Sequence, residues 1–203
     1  MKVLLIGDSI TEYLPKDKLN IDNHYNMHKN IQNGCDNFTF YKCGVENYPT
    51  EWLRRYVFPR LDTSSFDVIV LQCGINDFFM PYQDDDYAKK TPLEICDSIV
   101  DFIEEIKRVS GKKVALQSLY PVESGGITPK EDIQFVNAGL LKYCESNGIE
   151  FIDMYSLLVG DDGDYAYGLS NDSIHPNSDG YDIVANKLTE VFCCQNEDAC
   201  ELQ

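Results

Sequence analysis

Residues 67–73 read Asp-Val-Ile-Val-Leu-Gln-Cys, and this stretch narrows the possible folds more than any other. Its centre is apolar and mostly β-branched, which suits extended backbone better than helix. The side chains of a strand point alternately to its two faces, so a strand with no polar face must be covered on both. The run is far too short to cross a bilayer. It reads as a central strand of a parallel sheet with helices on either side. Lys2-Val-Leu-Leu-Ile6 is a second run of the same kind.

The rest of the chain supplies the helices and further strands. Phe38–Lys42 alternates like a strand, and Lys113–Leu119 and Glu150–Met154 complete a set of about five. Ile10–Leu14 predicts a short helix stopped by Pro15. Pro49–Leu61 predicts another, with Thr50 as N-cap and Trp52, Leu53, Tyr56 and Val57 at helical spacing. Thr91-Pro92-Leu93-Glu94 is a capping box with proline at the first helical position. Ile95, Ile99, Phe102, Ile103 and Ile106 then mark one face, and Gly111 ends it. Thr128-Pro129-Lys130-Glu131 repeats the start signal ahead of Ile133, Val136, Leu140, Leu141 and Cys144. A last helix follows His175-Pro176-Asn177, with Tyr181, Val184, Leu188 and Val191 on its face. Residues 78–91 and 155–174 read as irregular. Strands alternating with helices predict a flavodoxin-like three-layer α/β/α sandwich with a central parallel sheet. Residues 1–192 form one domain, and 193–203 form a tail carrying Cys193, Cys194 and Cys200.

The formal charge is −17, which argues against a nucleic-acid or anionic-membrane partner. Met1 leads directly into the first strand without a basic leader, and Cys43, Cys73, Cys96 and Cys144 fall inside strand or helix patterns. Both features predict a cytoplasmic protein with reduced, buried thiols and no membrane insertion. His24 and His28 have the spacing of a metal pair but no evident third ligand, so no metal site is expected.

Strands of such a sheet end along one edge, where sites in open α/β folds lie. The first strand delivers Ser9, the second Gly44 and the third Asn76. The segment after the fifth delivers Asp172 and His175. A serine hydroxyl needs a base, an imidazole base needs its other nitrogen held, and a tetrahedral intermediate needs donors for its oxyanion. Each residue also has a structural use. Ser9-Ile-Thr-Glu12 is a capping box, Asn76 could cap a turn, and Asp172–His175 could lead into a helix. Asp153, at the end of the last strand, is a rival acid. The order of these residues, each at a strand end or before the last helix, favours chemistry.

Gly7-Asp8-Ser9-Ile10, Gly44, Gly74-Ile75-Asn76-Asp77 and Asp172-Ser173-Ile174-His175 together resemble the four blocks of the SGNH (GDSL-type) hydrolases, over nearly the whole chain. The second block departs from the family, reading Lys42-Cys43-Gly44-Val45-Glu46-Asn47. The resemblance implies Ser9 as nucleophile, His175 as base and Asp172 as its orienter. It implies Ser9, Gly44 and Asn76 as oxyanion donors and no metal or organic cofactor. The expected activity is a serine esterase acting on small or carbohydrate-linked O-acyl esters, acetyl foremost. Tyr48, Trp52, Phe78, Phe79 and Ile174 are expected to line the pocket. Alternatives are a lysophospholipase or thioesterase of the same family, a catalytically silent binding module, and a phosphate-binding flavodoxin-like domain using the first turn as an anion nest.

Overall fold

The computed structural model describes residues 1–15, 22–23, 39–84, 87–122 and 130–193. The histidine pair His24 and His28, the start signal at Thr128-Pro129 and the tail beyond 193 lie outside them. Five strands form the body of one parallel sheet: β1 (Lys2–Gly7), β3 (Thr39–Gly44), β4 (Val68–Gln72), β5 (Lys113–Gln117) and β6 (Glu150–Ile152). A two-residue strand, β2 (Asp22–Asn23), pairs with β3 at the edge. The strand order is β2-β3-β1-β4-β5-β6. The chain therefore leaves β1 to one side and returns to its other side. That reversal makes the C-terminal end of β1 the switch point, where the connections diverge and a crevice opens.

Among the described residues, seven α-helices flank the sheet: α1 (Ser9–Tyr13), α2 (Thr50–Trp52), α3 (Ile75–Phe79), α4 (Pro92–Ser110), α5 (Lys130–Asn147), α6 (Tyr155–Leu158) and α7 (Ser178–Cys193). Every residue of β4 is buried, as its apolar run requires, and so is β1 after Lys2. The capping box at Thr91 forms as read: Glu94 N–H donates to Thr91 Oγ1 at 3.3 Å, and Thr91 N–H donates to Glu94 Oε2 at 2.7 Å. Ile95, Ile99, Phe102, Ile103 and Ile106 of α4 are all fully buried. Among the described residues, no helix is long and apolar enough to cross a membrane.

Several local expectations change. Thr50 does not cap its helix; Pro49 precedes the first turn, and Thr50 is the first helical residue. The helix is not uniform either, passing into a π turn over Leu53–Val57 and a 3-10 turn over Phe58–Arg60. Residues 78–91 are not wholly irregular. The chain turns at Gly74, with φ 116°, straight into α3, and a 3-10 turn over Met80–Tyr82 follows. No capping side chain announces α3, which is why its start carries no sequence signal. The segment 155–174 likewise opens with α6. On α5, Leu141 is 40% exposed, since it lies one residue round from the buried stripe of Ile133, Val136, Leu140 and Cys144. Cys43 is only half-buried, whereas Cys73, Cys96 and Cys144 are buried; all four are free thiols.

Ile69 sits fully buried at the centre of β4 and Leu93 is 57% exposed on α4. Ile69→Ala should lower stability to urea by about 2–5 kcal/mol, and Leu93→Ala by about 0.5 or less. Equal effects would contradict the two-sided burial of β4.

Candidate active site

Ser9 stands two residues beyond the end of the β1 ladder, at the start of α1. The residue that caps this helix is Asp8, whose Oδ1 accepts from the Ile10 N–H at 3.0 Å. The helix is therefore capped one residue earlier than the Ser9–Glu12 box implied, by Asp8 alone. The difference matters, because a capping serine spends its hydroxyl on the backbone. Relieved of that duty, Ser9 Oγ lies 2.8 Å from His175 Nε2, across 166 residues of chain.

His175 is held on its other side. Its Nδ1 lies 2.7 Å from Asp172 Oδ2. A carboxylate can only accept, so this contact puts the ring proton on Nδ1 and leaves Nε2 to accept from the Ser9 hydroxyl. The loop that carries both residues is organised by their own polar atoms. Asp172 Oδ1 accepts from the backbone N–H groups of Ile174 at 3.0 Å and His175 at 2.7 Å. Ser170 Oγ accepts from the Ser173 N–H at 2.9 Å and donates to the His175 carbonyl at 2.7 Å. Ser173 takes φ 66°, an uncommon conformation for a residue with a side chain. The base of the loop is closed by Asn177 Nδ2 donating to the Gly168 carbonyl at 2.7 Å. Tyr181 of α7 then ties this region to α1 through its hydroxyl, which donates to the Ile10 carbonyl at 2.9 Å. Tyr13, at the far end of α1, sets its ring edge-on to the His175 imidazole, with centroids 4.9 Å apart.

Burial alone would raise the Asp172 carboxyl, but the hydrogen bonds from the His175 and Ile174 N–H groups and the imidazole outweigh it and bring it down to about 2. Asp172 is thus ionised wherever His175 is neutral. Asp153, the rival acid, is occupied elsewhere: it accepts from Ser156 N–H at 3.0 Å and Ser156 Oγ at 2.6 Å.

Asn76 is buried on α3, beyond the end of β4, the strand beside β1. Its Nδ2 donates to the Tyr48 carbonyl at 3.2 Å. The next residue, Asp77, has no role implied by its place in the third block, yet it anchors this side of the site. Its side chain is fully buried. Oδ2 accepts from the Thr50 N–H at 2.8 Å and hydroxyl at 2.7 Å, and Oδ1 from Tyr87 at 2.9 Å and Lys90 at 2.7 Å. The partners come from two separate segments, around Thr50 and around Tyr87–Lys90, so no periodicity in the sequence could have revealed the cluster.

Gly44 is placed differently from expectation. It is the last residue of β3 and pairs with Gly7. The Val45 N–H donates to the Gly7 carbonyl at 3.0 Å, and N–H groups alternate sides along a ladder, so the Gly44 N–H is directed away from β1 and Ser9. What Gly44 provides is space. A Cβ there would lie 2.3 Å from the Glu12 nitrogen and 2.8 Å from the Asp8 carbonyl oxygen, both backbone atoms of the segment carrying Ser9. Asn47, three residues on, has φ 59° and directly precedes Tyr48. It and Ser173 are the non-glycine residues with positive φ among those described, and each adjoins a segment of the site.

The expected pocket residues divide. Tyr48 and Trp52 are half-buried, their rings edge-to-face at 5.5 Å, with Tyr87 beyond Trp52 at 6.2 Å. Phe78 is only 8% exposed and belongs to the core, and Phe79 packs against it. Ile174 also packs on the core, its carbonyl accepting from the Tyr165 hydroxyl at 3.0 Å.

Residues 5–183 match the model of the GDSL-like Lipase/Acylhydrolase family. No functionally curated protein matches the chain. Among solved structures, a GDSL-like lipase from Bacteroides thetaiotaomicron VPI-5482 superposes with a TM-score of 0.69 at 20% identity, covering 94% of this chain and 86% of its own. An acetyl xylan esterase, AlAXEase, does so with a TM-score of 0.69 at 17% identity, covering 95% and 100%. A mutant of Axe2, an acetyl-xylooligosaccharide esterase from Geobacillus Stearmophilus, gives 0.65 at 15% identity, covering 93% and 92%. At these identities the likeness is one of fold.

The electrostatics of Asp172 can be measured directly. Its carboxyl carbon should titrate at about 2 by NMR and move back toward 3.8 in His175→Ala. Because the folded-state value is depressed, the ionised carboxylate favours the folded state at neutral pH, and that advantage is lost as the pH falls through about 2. An unshifted titration in the intact protein would contradict the hydrogen-bonded loop.

Proposed function

The chain belongs to the GDSL-like lipase/acylhydrolase family, and from that premise we propose that it is a serine esterase that removes small O-acyl groups, acetyl foremost, from sugars or other small alcohols. The observation that carries this reading is the continuous hydrogen-bonded line from Ser9 Oγ through His175 to Asp172, at 2.8 and 2.7 Å. In the first step Ser9 Oγ bonds to the ester carbonyl carbon while its proton passes to His175 Nε2. The carbonyl π electrons move to oxygen, giving an oxyanion. Its donors are the Ser9 N–H and Asn76 Nδ2, which would exchange its bond to the Tyr48 carbonyl for one to substrate.

Collapse of this intermediate expels the alcohol oxygen, which takes the proton from Nε2 and leaves the acyl group on Ser9. Water then repeats the sequence. It gives a proton to Nε2, adds to the acyl carbon, and releases the acid and the free serine. Asp172 stabilises the imidazolium formed in each half-reaction without taking its proton. Gly44 serves by letting α1 lie close against β3, so its part is positional. The chemistry calls on no metal or organic cofactor.

The acetyl and sugar preference draws support from the acetyl-ester names among the structural relatives and from the half-exposed aromatic group of Tyr48 and Trp52 next to Asn76. Aromatic faces suit the apolar faces of sugar rings.

Ser9→Ala should lower kcat for p-nitrophenyl acetate by about 10³-fold or more, and Asn76→Ala by about 10²–10³-fold. kcat/KM should fall from acetyl to butyryl to longer chains, and acetylated xylo-oligosaccharides should release acetate. Full activity in Ser9→Ala would overturn the mechanism. A preference for long chains would overturn the substrate assignment.

A further inference from the structure

Among the buried titratable groups that take no part in the mechanism, the side chain of Asp8 stands apart. It is fully inaccessible to solvent, immediately before Ser9. Oδ1 accepts from the Ile10 N–H, but Oδ2 meets no hydrogen-bond partner among the described residues. A buried charged oxygen in that position would carry most of its desolvation cost.

Among the described residues, no surrounding group offers a compensating positive charge. From the end of β4, Gln72 lies beside Asp8 with its Oε1 accepting from the Thr11 hydroxyl at 3.0 Å. Cys73 follows it as a buried thiol. From α3 comes Asp77, a second carboxylate. Tyr120, past β5, Tyr165, in the loop before His175, and Tyr181, on α7, also feel Asp8, and burial pushes all three phenols up, so they stay neutral. In the site itself, Asp172 is anionic and His175 accepts from Ser9. The cations nearby have other partners: Lys42 donates to the carbonyls of Glu12 and Leu14, and Lys90 to Asp77. Asp77 and Asp8 are thus two buried carboxyls with opposite surroundings. Four donors, one of them an ammonium, make Asp77 suited to carry charge. Asp8 has the Ile10 N–H on Oδ1 and the neutral Gln72 side chain beside it, and, among the described residues, no cation.

We infer that Asp8 is a positioning residue held as the neutral acid in the active protein, and that its ionisation weakens the site by opposing the oxyanion that forms at the adjacent Ser9 N–H. The inference rests on the esterase reading. The neutral acid still caps α1 through Oδ1 and adds no charge beside the reacting carbonyl. The anion would put a negative charge in a dry layer directly behind the oxyanion donors, where it is poorly screened. Burial is also the main cause that drives the Asp8 carboxyl up to about 7, against the Ile10 N–H and Gln72 side chain and with Asp77 adding to the rise. The change of charge therefore falls within the range where a histidine base works.

The test compares pH profiles of kcat/KM for p-nitrophenyl acetate in the intact protein and in Asp8→Asn, over about pH 5–9. Asparagine keeps the Oδ1 acceptor and cannot ionise. The wild-type profile should fall about tenfold or more on the alkaline side as Asp8 ionises. Asp8→Asn should lack the fall and overtake the wild type at high pH. A wild type without an alkaline fall, or an Asn variant that keeps it, overturns the inference.

Two readouts do not depend on turnover. In Ser9→Ala, NMR of labelled aspartate carboxyls should show one group titrating near neutrality; if all titrate below about 5, Asp8 is not neutral in the folded state and the inference fails. A folded-state value raised above the unfolded one means stability falls as pH climbs from about 4 to 7. The gain in Tm of Asp8→Asn over wild type should therefore grow across that interval and level off beyond it, and a constant difference counts against the inference. Absence of turnover at every pH would instead overturn the esterase reading, with the carboxyl titration still deciding the charge of Asp8.

Discussion

The hydrogen bond between Ser9 and His175 joins residues 166 positions apart, and the rest of the structure can be read as the means of making it. One end is set by β1, which lies between β3 and β4, so its C-terminus opens into the crevice where the connections part. The other end is set by a loop whose shape is fixed by its own side chains, with Asp172 and Ser170 satisfying backbone groups from 173 to 175. Tyr181 brings α7 against α1 and so registers the loop to the strand end. Two long stretches of chain are thus brought together at one short contact. Such a contact persists only because burial of both anchoring elements outweighs the entropy of ordering them.

Close backbone approach is the second requirement. Gly7 and Gly44 face each other across the β1–β3 ladder. A Cβ on Gly7 would come within 2.5 Å of the Gln72 carbonyl oxygen, and one on Gly44 would collide with the backbone of α1. These glycines let the helix that carries Ser9 sit down on the sheet. The two buried carboxyls divide the labour behind it: Asp77 gathers Thr50, Tyr87 and Lys90 around α3, and Asp8 caps α1.

Much of this fold was legible in the sequence because its signals are local. Continuous apolar runs specify doubly covered strands, and the box at Thr91–Glu94 specifies the start of α4. The resemblance to the GDSL-type family, carried by four short blocks, agrees with the family match over residues 5–183. What escaped reading depends on geometry that sequence does not encode locally. The start of α3 follows a left-handed glycine rather than a cap. The role of Asp77 depends on partners from two other segments. Which residue caps α1 is settled by one hydrogen bond from Ile10, since Asp8 and Ser9 are both good capping types. The direction of the Gly44 N–H follows from ladder register, which cannot be known before the strands are paired.

The central claim is that Ser9 is a nucleophile activated by His175, and covalent trapping tests it most directly. The protein would be treated with a fluorophosphonate at neutral pH and followed by intact mass, with the modified peptide then mapped. The account predicts a single adduct on Ser9, formed at least about 10²-fold more slowly in His175→Ala. No adduct on Ser9, or equal rates in the two proteins, would contradict it.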